Sequence, residues 1–82
     1  MKSAVALTKM KSGQSGIISQ IEGGQGMVRR LEAMGVRIGK KITKTRGMVL
    51  RGPVTVRVGA SSIGIGFGMA SRILVAVDGE KT

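Results

Sequence analysis

The chain has 82 residues and a formal net charge of +10, from 14 lysines and arginines against 4 acidic residues. That length gives room for one domain, which we predict to span 1–82 with a core over 7–77 and a tail at 78–82. The sequence has no His, Cys, Tyr or Trp. It therefore cannot form disulfides or the usual catalytic and transition-metal sites, and we expect no catalytic residues, no metal ligands, no cofactor and no enzymatic activity.

The N-terminal segment contains a short apolar run, Ala4 to Leu7, which is followed by lysines and makes a poor signal peptide. No window approaches the length of a membrane-spanning helix, so the sequence predicts a cytoplasmic protein. Leu7, at the end of the run, and Met10 are expected to pack against the core. A turn over 13–16 then leads into a first predicted strand, Ile17 to Ile21.

One amphipathic helix is predicted over residues 25–34. At about 100° per residue its apolar side chains fall on one face and its polar side chains on the other. The apolar face consists of Met27, Val28, Leu31 and Met34. Gly35 stands where a helix needs a left-handed residue after its last turn, and Val36 can contact Leu31 as in a Schellman ending. The helix is therefore predicted to stop at Met34.

The pattern that follows the helix is β structure as far as residue 77, because apolar residues alternate with polar ones and turn residues separate the runs. The predicted elements are a strand over 41–50, a turn over 51–53, a strand over 54–58, a strand whose apolar side is Ile63, Ile65 and Phe67, a helical turn over 69–71 and a strand over 73–77 that is apolar and covered on both faces. Several short antiparallel strands with one helix inserted after the first predict a mainly β fold. We expect a small SH3-like, partly open β-barrel with one short inserted α-helix.

The excess of basic residues predicts partners of opposite charge, namely nucleic acid, anionic lipid or an acidic protein surface. A basic band supplies the cations that phosphate contacts need. Its members are Lys40, Lys41, Lys44, Arg46, Arg51 and Arg57. Base stacking needs aromatic side chains, and the single aromatic residue, Phe67, is assigned to the core by alternation, which argues against nucleic acid. A solvated basic face without a ligand is the plainer interpretation.

From Leu7 to Val77 the chain resembles the FeoA family, small cytosolic proteins of bacterial ferrous-iron uptake. The matching pieces are Leu7, Met10 and Gly13, then Gly23-Gly24, Arg29-Arg30-Leu31, Met34-Gly35-Val36 and Gly39, then Gly52-Pro53-Val54, and finally Ile63, Ile65, Ala70, Ile73 and Val75. The resemblance implies an SH3-like β-barrel with an inserted helix. It also implies a regulatory or adaptor role beside FeoB, a membrane transporter that carries a cytosolic GTP-binding domain.

We therefore predict a non-enzymatic accessory protein of ferrous iron transport that docks on the cytosolic GTP-binding part of the FeoB-type transporter, in the cytoplasm or at the inner face of the cell membrane. The predicted partner contacts are Arg29, Lys40, Lys41 and Arg51, which combine expected exposure with proximity to the family-like segment. An anionic membrane surface and a weak homo-oligomer are further candidate contacts. Two alternatives stay open: a basic nucleic-acid-binding barrel, and a metal-sensing domain that binds a transition metal ion and is related to the C-terminal domains of iron-dependent repressors.

Overall fold

The structure is a computed structural model that describes residues 3–46 and 52–77. Its elements are β1 (Ser3–Ala6), a 3-10 turn (Leu7–Lys9), β2 (Ser15–Ile21), α1 (Gln25–Ala33), β3 (Lys41–Arg46), β4 (Val54–Val58), β5 (Ser61–Ile65), α2 (Phe67–Ala70) and β6 (Ile73–Val77). Neither helix in these two ranges has the length or apolar character that crossing a membrane requires. The predicted strand segment 47–50 and the predicted tail 78–82 lie outside the described residues.

The six strands form one antiparallel sheet in the order β1-β6-β2-β3-β4-β5. Strands β1 and β5 lie at opposite ends and do not pair with each other, so the sheet is not closed. This confirms the partly open, SH3-like β architecture. Strand β1 is an addition to the prediction: Ser3 lies opposite Val77, and the short apolar run at the N-terminus pairs with β6.

One apolar core lies under the inner face of this sheet. Its buried members are Leu7, Met10, Ile18, Leu31, Val36, Ile42, Val54, Val56, Val58, Ile65, Ala70, Ile73, Val75 and Val77. Leu7 and Met10 are buried as expected. Gly16 marks a close approach between β2 and β6, because a Cβ atom there would lie 2.6 Å from the Ala76 carbonyl oxygen. Only glycine fits this position without a shift of the strands.

The inserted helix confirms the prediction closely, since α1 begins at Gln25 and its last helical residue is Ala33. Gly35 has a φ of +93°. Its N–H donates to the Glu32 carbonyl at 2.9 Å, and the Val36 N–H donates to the Leu31 carbonyl at 2.9 Å. These two bonds are the paired hydrogen bonds of a Schellman ending. They supply donors to carbonyls that have no partner within the helix.

The second helix corrects one part of the prediction. Phe67 was expected to continue the apolar side of a strand, but β5 ends at Ile65 and Phe67 is the first residue of α2. The alternation was wrong there because the chain leaves the strand at Gly66, the N-cap residue of α2, and turns into a helix. Phe67 is half-buried rather than part of the buried core. The expected helical turn over 69–71 thus begins two residues earlier.

The last strand is covered less evenly than its sequence predicts. Ile73, Val75 and Val77 are buried on the inner face, whereas Leu74 and Ala76 on the other face are only half-buried. The sheet therefore has one covered face, and its outer face stays accessible to solvent along β6.

Candidate docking surface

Residues 29–41, which we call the α1–β3 segment, bring most of the predicted partner contacts into one stretch of the fold. Arg29 lies on the exposed side of α1, opposite the face that buries Leu31. The helical period dictates this placement, because a residue two positions before Leu31 lies on the far side of the helix. Arg30 and Glu32 are also exposed. Arg29 is therefore available to a partner, as its predicted role requires.

Lys40 and Lys41 follow a loop that is fixed at both ends. Val36 is fully buried in the core. At the other end, the Gly39 N–H donates to the Ile18 carbonyl at 2.8 Å, and the Ile18 N–H donates to the Lys40 carbonyl at 2.9 Å. The backbone of Lys40 is thus held against β2 while its side chain is exposed. Lys41, the first residue of β3, is exposed as well.

Between the two fixed points the loop exposes Ile38, which sequence reasoning did not single out. Its side chain is 64% exposed, more than the 37% of Ile17. Arg37 precedes it and is also exposed. Because the backbone is anchored on both sides, this side chain can enter a contact with another molecule at little cost in backbone freedom. The signal in the sequence was the isolated Ile between Arg37 and Gly39, outside any periodic run.

The α1–β3 segment is strongly basic. It holds five lysine or arginine residues and one carboxylate, Glu32. Within the described part of the chain, no hydrogen bond or ion pair joins the side chains of Arg29, Lys40 or Lys41 to another residue. Their charge is therefore available to an acidic surface, and the attraction would act at a range set by the ionic strength.

Lys44 requires a correction, because it was counted in the basic band but is only 4% exposed. Its Nζ donates to the Met10 carbonyl at 2.6 Å and to the Thr8 carbonyl at 3.2 Å. Burial removes water from the ammonium group and lowers the pKa of Lys44 from its ordinary value of 10.5. This side chain binds the segment before β2 and takes no part in an external surface.

Arg51, the fourth predicted contact, lies outside the described residues. Arg46 and Arg57, the other members of the band, are exposed on β3 and β4. The nucleic-acid alternative therefore loses Lys44 but keeps other exposed cations. Among the described residues, no group of three acidic, histidine or cysteine side chains is placed to hold a metal ion.

Comparisons with known proteins give one consistent result. The family model of the FeoA domain matches residues 5–77. A protein of Methanocaldococcus jannaschii named Fe(2+) transport protein A is 38% identical over 65 residues, which cover 79% of this chain and 77% of the relative. A crystal structure of an iron uptake regulatory protein (FeoA) superposes with a TM-score of 0.84 at 32% identity, over 90% of this chain and 97% of the other.

A second kind of structure shares the fold. A manganese-dependent transcriptional repressor superposes with a TM-score of 0.85 at 18% identity, over 95% of this chain but 44% of the repressor. At that identity the likeness concerns the fold alone. The same small sheet therefore occurs within a longer regulatory protein.

Proposed function

Because the chain belongs to the FeoA family, which is associated with ferrous iron transport, we propose that it is a non-enzymatic accessory protein that docks on the cytosolic GTP-binding part of the FeoB-type transporter. The observation that carries the proposal is the α1–β3 segment, which contains exposed cations and the exposed Ile38, the latter in a loop whose backbone is fixed at both ends. The proposed contacts are Arg29, Lys40 and Lys41, with Arg51 beyond the described residues.

The chemistry of this segment favours a particular kind of partner surface. Cations at the rim of a contact accelerate encounter with an acidic surface and lose that effect as salt rises. Affinity in such contacts depends mainly on a few apolar or arginine side chains that become fully desolvated. Ile38 and Arg29 are suited to that part, because both are exposed and lie in the same segment. The partner surface is therefore proposed to be acidic around an apolar recess.

The test is a binding titration of this protein with the soluble GTP-binding domain of the transporter, repeated with the full transporter in membranes and at rising salt. The double variant Arg29→Gln/Lys40→Gln should weaken binding by about tenfold or more. The matched control is Lys9→Gln/Arg72→Gln, which removes the same two kinds of charge from exposed positions outside the segment. The control should weaken binding far less.

A second pair of variants tests the apolar contact. Ile38→Ser should weaken binding while shifting only amide signals near residue 38 in the free protein, because the side chain is already exposed. Ile38→Val, which keeps an apolar side chain at this position, serves as its control. Absence of binding to both the soluble domain and the full transporter at low salt would reject the docking proposal. Binding to duplex or single-stranded nucleic acid with a steep salt slope would instead support the basic-barrel alternative.

A further inference from the structure

A cleft opens on the outer face of the sheet where β3 and β4 run side by side. Its volume is about 240 Å³, and it is lined by Lys41, Thr43, Arg57 and Gly59. Thr43 lies opposite Arg57 in the antiparallel register. When that register is continued by two residues, Gly59 lies across from Lys41. The cleft thus consists of two successive cross-strand positions on one face, and it is open where Gly59 has no side chain.

The space beside Gly59 is not occupied by neighbouring side chains. A Cβ atom built on Gly59 would meet no other atom within 4 Å. Lys41 and Arg57 are diagonal neighbours across the two strands, a separation of roughly 7–8 Å that long side chains can span. Both are exposed, and within the described part of the chain neither forms an ion pair. The two cations can therefore converge on one anionic group.

A hydroxyl group completes the lining. The Thr43 Oγ1 lies 2.7 Å from the Ser15 Oγ, and either atom can be the donor. When Ser15 donates, the proton of Thr43 is left for a ligand in the cleft. The cross-strand row continues from Arg57 to Ser62 and contains no acidic side chain. The row therefore offers donors and cations and presents no carboxylate to repel an anion.

We propose that this cleft binds the phosphate group of a small molecule, an activity that shares Lys41 with the proposed docking contacts but does not require docking on the transporter. The Arg57 guanidinium can donate two parallel hydrogen bonds to phosphate oxygens, Lys41 supplies a second positive charge, and Thr43 donates to a third oxygen. A phosphate carries more than one negative charge near neutral pH and so matches two cations better than a carboxylate does. The cleft is also much larger than the roughly 30 Å³ that one water occupies.

The test is an amide NMR titration of the full chain with pyrophosphate and, separately, inorganic phosphate, with ionic strength held constant by chloride. Saturable shifts should concentrate at Lys41, Thr43, Arg57 and Gly59. The double variant Lys41→Gln/Arg57→Gln should bind pyrophosphate at least about tenfold more weakly. Its matched control, Lys9→Gln/Arg72→Gln, removes the same two kinds of charge from exposed positions outside the cleft and should bind as the wild type does.

Two results would overturn the assignment. Equal losses in both double variants, or shifts spread over all exposed cations, would mean that the anion responds to net charge only. The second result concerns phosphatidylcholine vesicles that contain phosphatidic acid. If the wild type binds these vesicles, Lys41→Gln/Arg57→Gln does not, and neither binds free pyrophosphate, then the phosphate belongs to a lipid headgroup and not to a small molecule. Thr43→Val should weaken pyrophosphate binding while both cations remain, which separates a built site from charge alone.

Discussion

The two faces of strand β3 use the same residue type in opposite ways. On the outer face the side chain of Lys41 is exposed and makes no hydrogen bond within the described residues. On the inner face Lys44 follows Ile42 in the buried pattern, and its ammonium group donates hydrogen bonds to the carbonyls of Thr8 and Met10. Side chains alternate along a strand, so the position in that alternation decides whether a lysine serves a partner or the fold.

Lys44, the inner lysine, binds the residues between the 3-10 turn and β2 to strand β3, although those residues belong to no strand. Besides the two bonds from its side chain, the backbone N–H of Lys44 donates to the Gln14 carbonyl at 3.0 Å, and its carbonyl accepts from the Gly13 N–H at 2.6 Å. One residue of β3 thereby binds both ends of the connection, residues 10–14, that joins the 3-10 turn to β2. The net charge of the chain is therefore a poor measure of how much charge it offers to partners.

Substituting Lys44, the inner lysine, should give the largest loss in the free energy of unfolding. Lys44→Ala removes both side-chain bonds, leaves the Met10 carbonyl buried without its donor and empties the space that the lysine stem fills. We expect a loss of about 3 kcal/mol in the free energy of unfolding, measured by urea denaturation. Lys41→Ala is the control and should change it by less than about 0.5 kcal/mol. Similar losses in the two variants would abolish the distinction between the faces.

A glycine on the neighbouring strand tests how tightly the inner side is packed. Gly16 lies opposite Ile42, and a Cβ atom there would meet the Ala76 carbonyl oxygen and the Val75 Cγ1, each at 2.6 Å. Gly16→Ala should therefore lower the free energy of unfolding by about 2 kcal/mol. Gly26→Ala in α1, where an added Cβ meets nothing within 4 Å, should instead raise it by roughly 0.5–1 kcal/mol. Thermal or chemical denaturation of both variants checks the pair.

The outer face should tolerate the loss of its hydroxyl pair. Thr43→Val removes the bond to Ser15 but keeps the branched shape that suits a strand. The expected loss in the free energy of unfolding is about 1 kcal/mol or less, because Ser15 is only half-buried and can turn to water. A loss as large as that of Lys44→Ala would show that the outer face also carries the fold.

The smallest expected effect is a dependence of the free energy of unfolding on pH, which comes from Lys44 on the inner face. Burial lowers the pKa of Lys44 below the 10.5 that it takes when unfolded. Between the folded pKa and 10.5 the unfolded state binds more protons, so the free energy of unfolding should rise with pH in that window and level off above it. Below the folded pKa the contribution is constant.

Lys44→Met supplies the reference for this measurement, since it keeps an apolar stem and cannot titrate. Urea denaturation at several values between about pH 7 and pH 11 should show the wild type gaining stability relative to Lys44→Met as the pH rises. Lys41→Met, measured alongside, corrects for the loss of one charge. A wild type that instead loses stability relative to Lys44→Met across the window would contradict the direction of the shift.

Much of the fold could be predicted from the sequence because its signals are local. The helical period of Met27 to Met34 and the glycine after it determine α1 and its end, and the alternation of Val54, Val56 and Val58 determines β4. Strand β1 was missed because its short apolar run has no period of its own and is a strand only through its pairing with β6. Phe67 was misplaced because the same alternation continues past the residue where the chain turns.

The candidate sites were less accessible to sequence reasoning. Counting cations placed Lys44 in a surface band, although alternation from the buried Ile42 would have put it inside. Ile38 stands out only once its loop is seen to be fixed at Val36 and Gly39. The cleft at Lys41 and Arg57 depends on which residues face each other across β3 and β4, and that register is a long-range property that no local pattern specifies.

The place of β6 in the sheet has a consequence for how the chain reaches its native state. This strand is the last of the described elements, yet it lies between β1 and β2, and Val77 pairs with Ser3. Neither of the first two strands can gain this neighbour until synthesis has passed Val77. We therefore expect the folding of this sheet to be cooperative and slow for its size, since the pairing of β6 with β1 and β2 joins segments that lie far apart in the sequence.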